Sequence, residues 1–328
     1  MMKNYIFIPV ISLFLNLILS TEVFAYKYGL GSCLDQRFKQ DIWQSIKKEN
    51  IDGFIFLGDN VYGDTPSGKL SKMESAYKIQ QTKLPEWLMS EKEILAIWDD
   101  HDFGINDGGG DYPFKKEAQK LFLEFWKIPG LDPRSTREGI YFKQTKQIED
   151  LEVEIIGLDT RYFRSPLKGK KNPYAQNMDS EATILGTEQW KWLETSIYNS
   201  TADVIVILSS IQILATNHPY EKWDNFPMER ERLLGLIANA SKNTTILAVS
   251  GDRHRSGIYQ NDHFVEITAS SLNKPASKNI ETDPLLLGKT YPIKNFGILD
   301  IEPSKKKITL SIHNQNGFKL NSKIINLD

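Results

Sequence analysis

Residues 94–104 read Ile-Leu-Ala-Ile-Trp-Asp-Asp-His-Asp-Phe-Gly. An apolar run this short reads as a buried strand rather than a helix, and it stops on three carboxylates around one histidine. Five other segments end in the same way. YKYGLGSC (26–33) stops at Cys33, FIFLGDNVYGD (54–64) turns at Asp59, and VEIIGLDTR (153–161) ends on Asp159 and Arg161. DVIVILSS (203–210) runs out at Ser209 and Ser210, and TILAVSGDRHRSG (245–257) carries Asp252 and His254 past its apolar stretch. Ligands of open α/β sheets lie outside the carboxyl ends of the strands, so folding gathers these residues at one edge. One thiol, several carboxylates and two histidines converging there point to a metal site.

Outward from these segments, strands and helices alternate. Strands are expected over 26–32, 53–57, 93–98, 139–143, 151–158, 203–208 and 244–250. Helices are expected over 36–50, 70–89 with a break at Pro85, 112–127, 186–198 and 227–239. The tail changes character: 264–268, 296–302 and 307–313 read as strands with no helix between them. The class is α/β closing with β, and one domain over 26–328 is the simplest organisation. Residues 164–183 and 270–294 read as long irregular stretches of the kind that border sites.

The bulk numbers bound the function. The chain has 328 residues, 40% of them apolar and 25% charged, with a net charge of −2. That balance is globular and predicts no nucleic-acid binding. Residues 1–25 stand apart. Lys3 precedes an apolar run from Tyr5 to Leu19, and Val23 and Ala25 fit the small-residue rule of a signal peptidase site. The run is short for a membrane span, and there is no twin arginine. Export by the general secretory route is expected, to a periplasmic, extracellular or secretory-pathway location, with no transmembrane segment left once the leader is removed.

Export sharpens the meaning of the single cysteine, which has no intramolecular partner. Cys33 reads as a buried structural thiol, as a lipidated residue of the lipobox-like Leu30-Gly31-Ser32-Cys33, or as a metal ligand. The lipobox lies eleven residues beyond the apolar run, which weighs against it. A place at a first strand end favours the ligand.

In Gly58-Asp59-Asn60-Val61-Tyr62-Gly63-Asp64, glycine allows a sharp turn that puts Asp59 where a carboxylate can bridge two cations and Tyr62 where it can add a phenolate. A solvated turn is the plain alternative. Cations would keep the crowded Asp99, Asp100 and Asp102 ionised, and the same cluster would hold His101 protonated, suited to donating a proton. Asn106 and Asp107, in the glycine-rich lip that follows, are further oxygen donors. Arg161 reads as a bidentate clamp for a phosphate oxyanion or as the ion-pair partner of Asp159. His218 precedes Pro219 in a loop able to approach the site, whereas His263 and His313 belong to the β tail.

Taken in order, these residues resemble the calcineurin-like metallophosphoesterases, and within them the alkaline phosphatase D family, also called phospholipase D-type alkaline phosphatases. Gly31-Ser32-Cys33 stands where most of the superfamily has Asp-x-His. Asp99-Asp100-His101-Asp102 replaces Gly-Asn-His-Asp, and Gly251-Asp252-Arg253-His254 replaces Gly-His-x-His. Leu158-Asp159-Thr160-Arg161 and Trp223-Asp224 with Pro227 and Arg230 also look like that family. The resemblance runs from about 28 to 258 and lacks the N-terminal β domain of many members.

The resemblance implies a metallophosphoesterase-type β-sandwich, two mixed sheets flanked by helices in four α/β/β/α layers. It implies Fe(III) held by Cys33, Asp59, Tyr62 and His254, and Ca(II) shared through Asp59 with Asp100, Asn106 and Asp252; a zinc or manganese dinuclear centre is the alternative. The expected reaction is phosphoester hydrolysis by a metal-activated water or oxide, with His101 as acid and Arg161 as clamp. Ser210, Gln212 and His218 compete for the place of the superfamily's middle histidine, the last two as substrate-binding residues. Substrates would be small-molecule or lipid phosphoesters, taken by a monomer. An inactive secreted metal-binding protein and a surface protein lipid-anchored through Cys33 are the competing functions.

Overall fold

The computed structural model describes residues 25–276, 279 and 281–327; the expected leader falls outside them apart from Ala25. Two six-stranded mixed sheets face each other. The first runs, edge to edge, Lys319–Asn326, Lys307–Asn314, Asn295–Glu302, Tyr26–Gly31, Gly53–Leu57 and Glu93–Ile97. Its last three strands are parallel, and the rest form an antiparallel meander. The second runs Gly257–Gln260, Val265–Thr268, Thr245–Ser250, Val204–Ser209, Leu151–Gly157 and Phe142–Ile148. It is parallel except for its two edge strands.

The apolar runs form strands because both of their faces are buried. Along Val204–Ser209, Val204, Val206 and Leu208 face the core between the sheets, where they join Leu30, Ile55 and Leu247. Ile205 and Ile207 alternate with them and meet Trp190, Leu193, Leu233 and Ile237 of the helices Gly186–Tyr198 and Pro227–Ala240. On the first sheet, Phe54 and Phe56 pack against Trp43 and Trp126 from the helical layer on that side. The result is the four-layer sandwich.

Three differences have local causes. The first helix covers only Trp43–Lys48 because Gln36 is committed elsewhere: its side chain donates to Tyr62 O (3.1 Å) and accepts from Tyr62 N (2.8 Å). The strands Gly257–Gln260 and Lys319–Asn326 are additional; the second is an edge strand whose exposed positions carry little apolar signal. A short helix, Asp100–Phe103, closes the acidic cluster, capped by reciprocal Asp99 and Asp102 contacts. Among the described residues no helix is long and apolar enough to cross a membrane.

The carboxyl ends of the parallel strands meet along one edge. Ser32 bridges Ser270, and Gly251 N–H donates to Ser210 O at 3.0 Å. A Cβ on Gly251 would lie 2.4 Å from Leu57 O, so only glycine lets the two sheets approach there.

Candidate metal centre

At this edge Cys33, Asp59, Asp252 and His254 all adopt left-handed backbone angles, with φ of 55°, 52°, 60° and 53°. The conformation is uncommon outside glycine and recurs where surrounding structure enforces it at functional sites. Cys33 and Asp59 follow the ends of the strands Tyr26–Gly31 and Gly53–Leu57, and Asp252 and His254 lie in the turn after Thr245–Ser250. Gly58, at φ 95°, brings the second strand end so close to the third that a Cβ would sit 2.5 Å from that of Asp99.

Two ligand-capable groups result. Cys33, Asp59 and His254 place donor atoms within 4.8 Å of one another, and so do Asp59, Asp100 and His101. Asp59 belongs to both. Tyr62 completes the first group: its hydroxyl donates to Asp59 Oδ2 at 3.0 Å and lies 3.5 Å from His254 Nε2. Cys33 Sγ is 3.5 Å from the same Asp59 oxygen. Metal–ligand distances of about 2.0–2.3 Å give polyhedron edges of roughly 3–3.7 Å, so these separations are compatible with ligands around one ion.

The acidic cluster divides its labour. Asp102 accepts from the backbone N–H groups of Asp59, Asn60 and Asp99 at 3.1, 3.2 and 2.6 Å, tying two strand ends together. Asp99 holds Arg161 and accepts from Ser210 Oγ. Asp100 accepts Asp107 N–H through Oδ2 (2.7 Å), while its enclosed Oδ1 has no hydrogen-bond partner among the described residues. His101 sets Nδ1 against Asp64 Oδ1 at 2.7 Å, and its ring lies 4.2 Å from that of Tyr62.

A pocket of about 230 Å³ opens here, lined by Asp100, His101, Asn106, Asp252 and His254 on the metal side and by Lys171, Tyr174, Tyr220, Arg253 and Arg255 beyond them.

Residues 114–311, more than half of the chain, match the family described as PhoD-like phosphatase. The chain belongs to the PhoD-like phosphatase family. It is 28% identical over 322 residues to alkaline phosphatase D of Bacillus subtilis (strain 168), an alignment covering 79% of this chain and 53% of that protein. The chain thus spans about half the length of this curated relative. In fold it resembles a structure of PhoD, with TM-score 0.65 and 17% identity, over 92% of this chain and 68% of that one. It also resembles a purple acid phosphatase from yellow lupin (Lupinus luteus) seeds, with TM-score 0.62 and 12% identity, over 93% and 54% of the two chains.

PhoD-like phosphatase membership implies metal cofactors, and the residues present fit them. Burial pushes the Cys33 thiol, the Tyr62 phenol and the Asp59 carboxyl well above their usual ranges, and the crowded negative charges add to this. Asp252 is raised to about 7 for the same first reason. Cations would keep such a set ionised, and the enclosed Asp100 Oδ1, with no hydrogen-bond partner among the described residues, is a further place for one. Burial also disfavours a charged His101, but Asp100, Asp59 and Asp64 outweigh it and raise its pKa to about 10.

Supporting contacts come from the 270–276 loop of this PhoD-like chain. Ser270 Oγ accepts His254 N–H at 2.7 Å and lies 3.0 Å from Cys33 Sγ. Lys274 O takes His254 Nδ1, which leaves Nε2 facing Tyr62, and Lys274 Nζ sits 3.4 Å from the Tyr62 ring centroid. Outer contacts of this kind fix ligand tautomer and orientation.

Three residues expected at the substrate lie elsewhere. Arg161 is fully buried; it grips Asp99 (2.5 Å) and Glu221 (2.6 Å), while Asp159 accepts only its backbone N–H. With its guanidinium so occupied it does not line the pocket. Gln212 donates to Thr268 Oγ1 at 2.8 Å inside the second sheet. His218 is buried behind the pocket wall, its pKa driven down by burial and by the nearby Arg253 and Lys222. Sequence reasoning missed Asp64 and Lys274 as partners of His101, Tyr62 and His254. Asp64 is visible in the GDNVYGD turn, but Lys274 carries no local signal.

Proposed function

We propose that this chain is an exported, metal-dependent phosphoester hydrolase. One observation carries the reading: Asp59 is shared by two ligand-capable groups, one with Cys33 and His254 and one with Asp100 and His101, and His254, Asp100 and His101 line one pocket. Cys33, Asp59, Tyr62 and His254 would hold Fe(III), since thiolate and phenolate suit a strongly Lewis-acidic ion; Asp59, Asp100, Asn106 and Asp252 offer the hard oxygens that Ca(II) prefers. Bound ions would supply Lewis-acid polarisation of the phosphoryl oxygens and activation of water.

The chain's own residues then do the following. Asp64 fixes the His101 ring through Nδ1 and leaves the other nitrogen to donate a proton to the departing alkoxide. Tyr62 lies tilted against that ring and limits its rotation. Arg161 acts at one remove, holding Asp99 and Glu221 so that the Asp100–Phe103 turn keeps its place. The 230 Å³ of the pocket suits a small phosphoester. His101 is the residue a purely metal-binding protein would not need, and a Cys33 thiol with no exposed surface is no anchor for an acyl chain. The pattern of residues 1–25 supports export.

The test is turnover of phosphomonoesters and diesters by purified protein loaded with iron and calcium, against a His101→Ala control. Failure to hydrolyse either class at stoichiometric metal would sink the proposal.

A further inference from the structure

Asp252 and His254 are metal-side residues, and Arg253 between them lines the same pocket. Its side chain is 5% exposed, and Nη2 donates to Glu281 Oε1 at 2.6 Å. Its guanidinium carbon lies 4.4 Å from the centroid of the Tyr220 ring, itself on the pocket wall. A guanidinium offers five donors, yet the enclosed Nε of Arg253 has no hydrogen-bond partner among the described residues. A buried cation with donors unused is costly. The other carboxylates near this wall are engaged: Glu221 by Arg161 and Arg164, Asp107 by Lys171, and Glu281 also by Arg255. Asp107 and Glu221, which also line the pocket, are thus taken by other cations, and Arg253 brings its guanidinium to the wall beside an aromatic ring with one nitrogen lacking a hydrogen-bond partner among the described residues.

We propose that Arg253, backed by Glu281 and Tyr220, is a subsite for a second oxyanion of the substrate. The inference rests on the reading of the metal side as the phosphoryl site and names the class of ester it takes: a small organic phosphate whose alcohol carries its own carboxylate or phosphate. A pocket of about 230 Å³ suits a compact substrate whose two anions are a few bonds apart. The planar fork of arginine reads carboxylate and phosphate alike.

The experiment compares three esters with metal-loaded enzyme: 3-carboxyphenyl phosphate, 1,3-phenylene bisphosphate and the neutral 3-carbamoylphenyl phosphate. Charge-assisted hydrogen bonds predict kcat/KM about tenfold or more higher for at least one anionic ester than for the amide, and the favoured ester identifies the anion. R253Q should bring the ratio to near 1. E281Q, which removes the competing carboxylate, should raise it above the wild-type value. Equal turnover of all three esters by the wild type would overturn the subsite alone. So would an unchanged ratio in R253Q with metal retained. If R253Q loses metal, a ratio that does not rise in E281Q overturns it. No turnover of any ester would overturn the phosphatase reading instead.

Discussion

Replacing Asp64 with asparagine separates the two things Asp64 does for His101. Asp64 Oδ1 lies 2.7 Å from His101 Nδ1, both side chains are mostly enclosed, and the imidazole pKa stands at about 10. A hydrogen bond to a charged group is worth about 1.5–3 kcal/mol, which is a pKa change of roughly one to two pH units. Asp100 and Asp59 remain in the variant, so the ring stays protonated at pH 7. A group with a raised pKa acts as an acid below that pKa and loses the function as pH rises through it. The alkaline limb of kcat on an alkyl phosphate should therefore move down by about one to two pH units in D64N, while kcat near pH 7 falls less than in His101→Ala, where a loss of about 10²- to 10⁴-fold is expected. Bound cations draw on Asp59 and Asp100 in wild type and variant alike, so the displacement between the two profiles is the quantity to read. Metal content is measured alongside. A limb that does not move, with metal retained, would refute the pairing; a loss equal to that of His101→Ala at every pH would make Asp64 a matter of orientation alone.

Cys33→Ala should lose iron and the charge-transfer colour that thiolate and phenolate ligands give, measured by metal analysis and visible absorption; full iron content would rule the ligand out. A calcium chelator should suppress turnover and calcium should restore it, whereas full activity of metal-free protein with zinc alone would favour a dizinc centre. Arg161→Leu leaves Asp99 buried without its cation and Glu221 with Arg164 alone, a change of the kind that costs about 3–5 kcal/mol. Tm should drop on the order of 10 °C, and a drop of under about 2 °C would mean that Arg161 holds little.

Much of this was legible in the sequence, and the failures share a cause. Strand ends could be read because apolar runs buried on both faces stand out, and because the residue after each run is fixed by chain order alone. Cys33, Asp59, Tyr62, Asp100 and His254 follow from that and need no knowledge of side-chain partners. Arg161 did not. Asp159 is its neighbour two positions away, but that carboxylate is taken by the Trp98 indole and three backbone N–H groups. Asp99, distant in sequence, receives the guanidinium instead. Lys274 reaches Tyr62 only because Ser32 pairs with Ser270, a contact between sheets that no local pattern announces. The over-long helix at 36–50 has the same origin, since the side chain of Gln36 serves a turn formed by residues further along the chain.

The strand-end rule explains where the site is, but not why this edge holds charge that other sheet edges avoid. The structure supplies the reason in its backbone. An ordinary strand end continues its alternation into solvent, and a carboxylate there is hydrated and binds nothing tightly. Here four residues at or just beyond the strand ends are left-handed, and they carry a thiol, two carboxylates and an imidazole to one edge. Gly58 and Gly251 then remove the side-chain bulk that would hold the sheets apart. Each unfavourable φ costs of order 1 kcal/mol or more, and the buried like charges cost more still. Contacts within the cluster, from the Tyr62 hydroxyl and the His101 N–H to Asp59, offset part of these costs. Cations that bind only the folded edge would stabilise the whole fold by mass action. The same strain that makes the edge expensive also keeps these side chains from relaxing outward, so the geometry the proposed reaction needs is held before any substrate arrives.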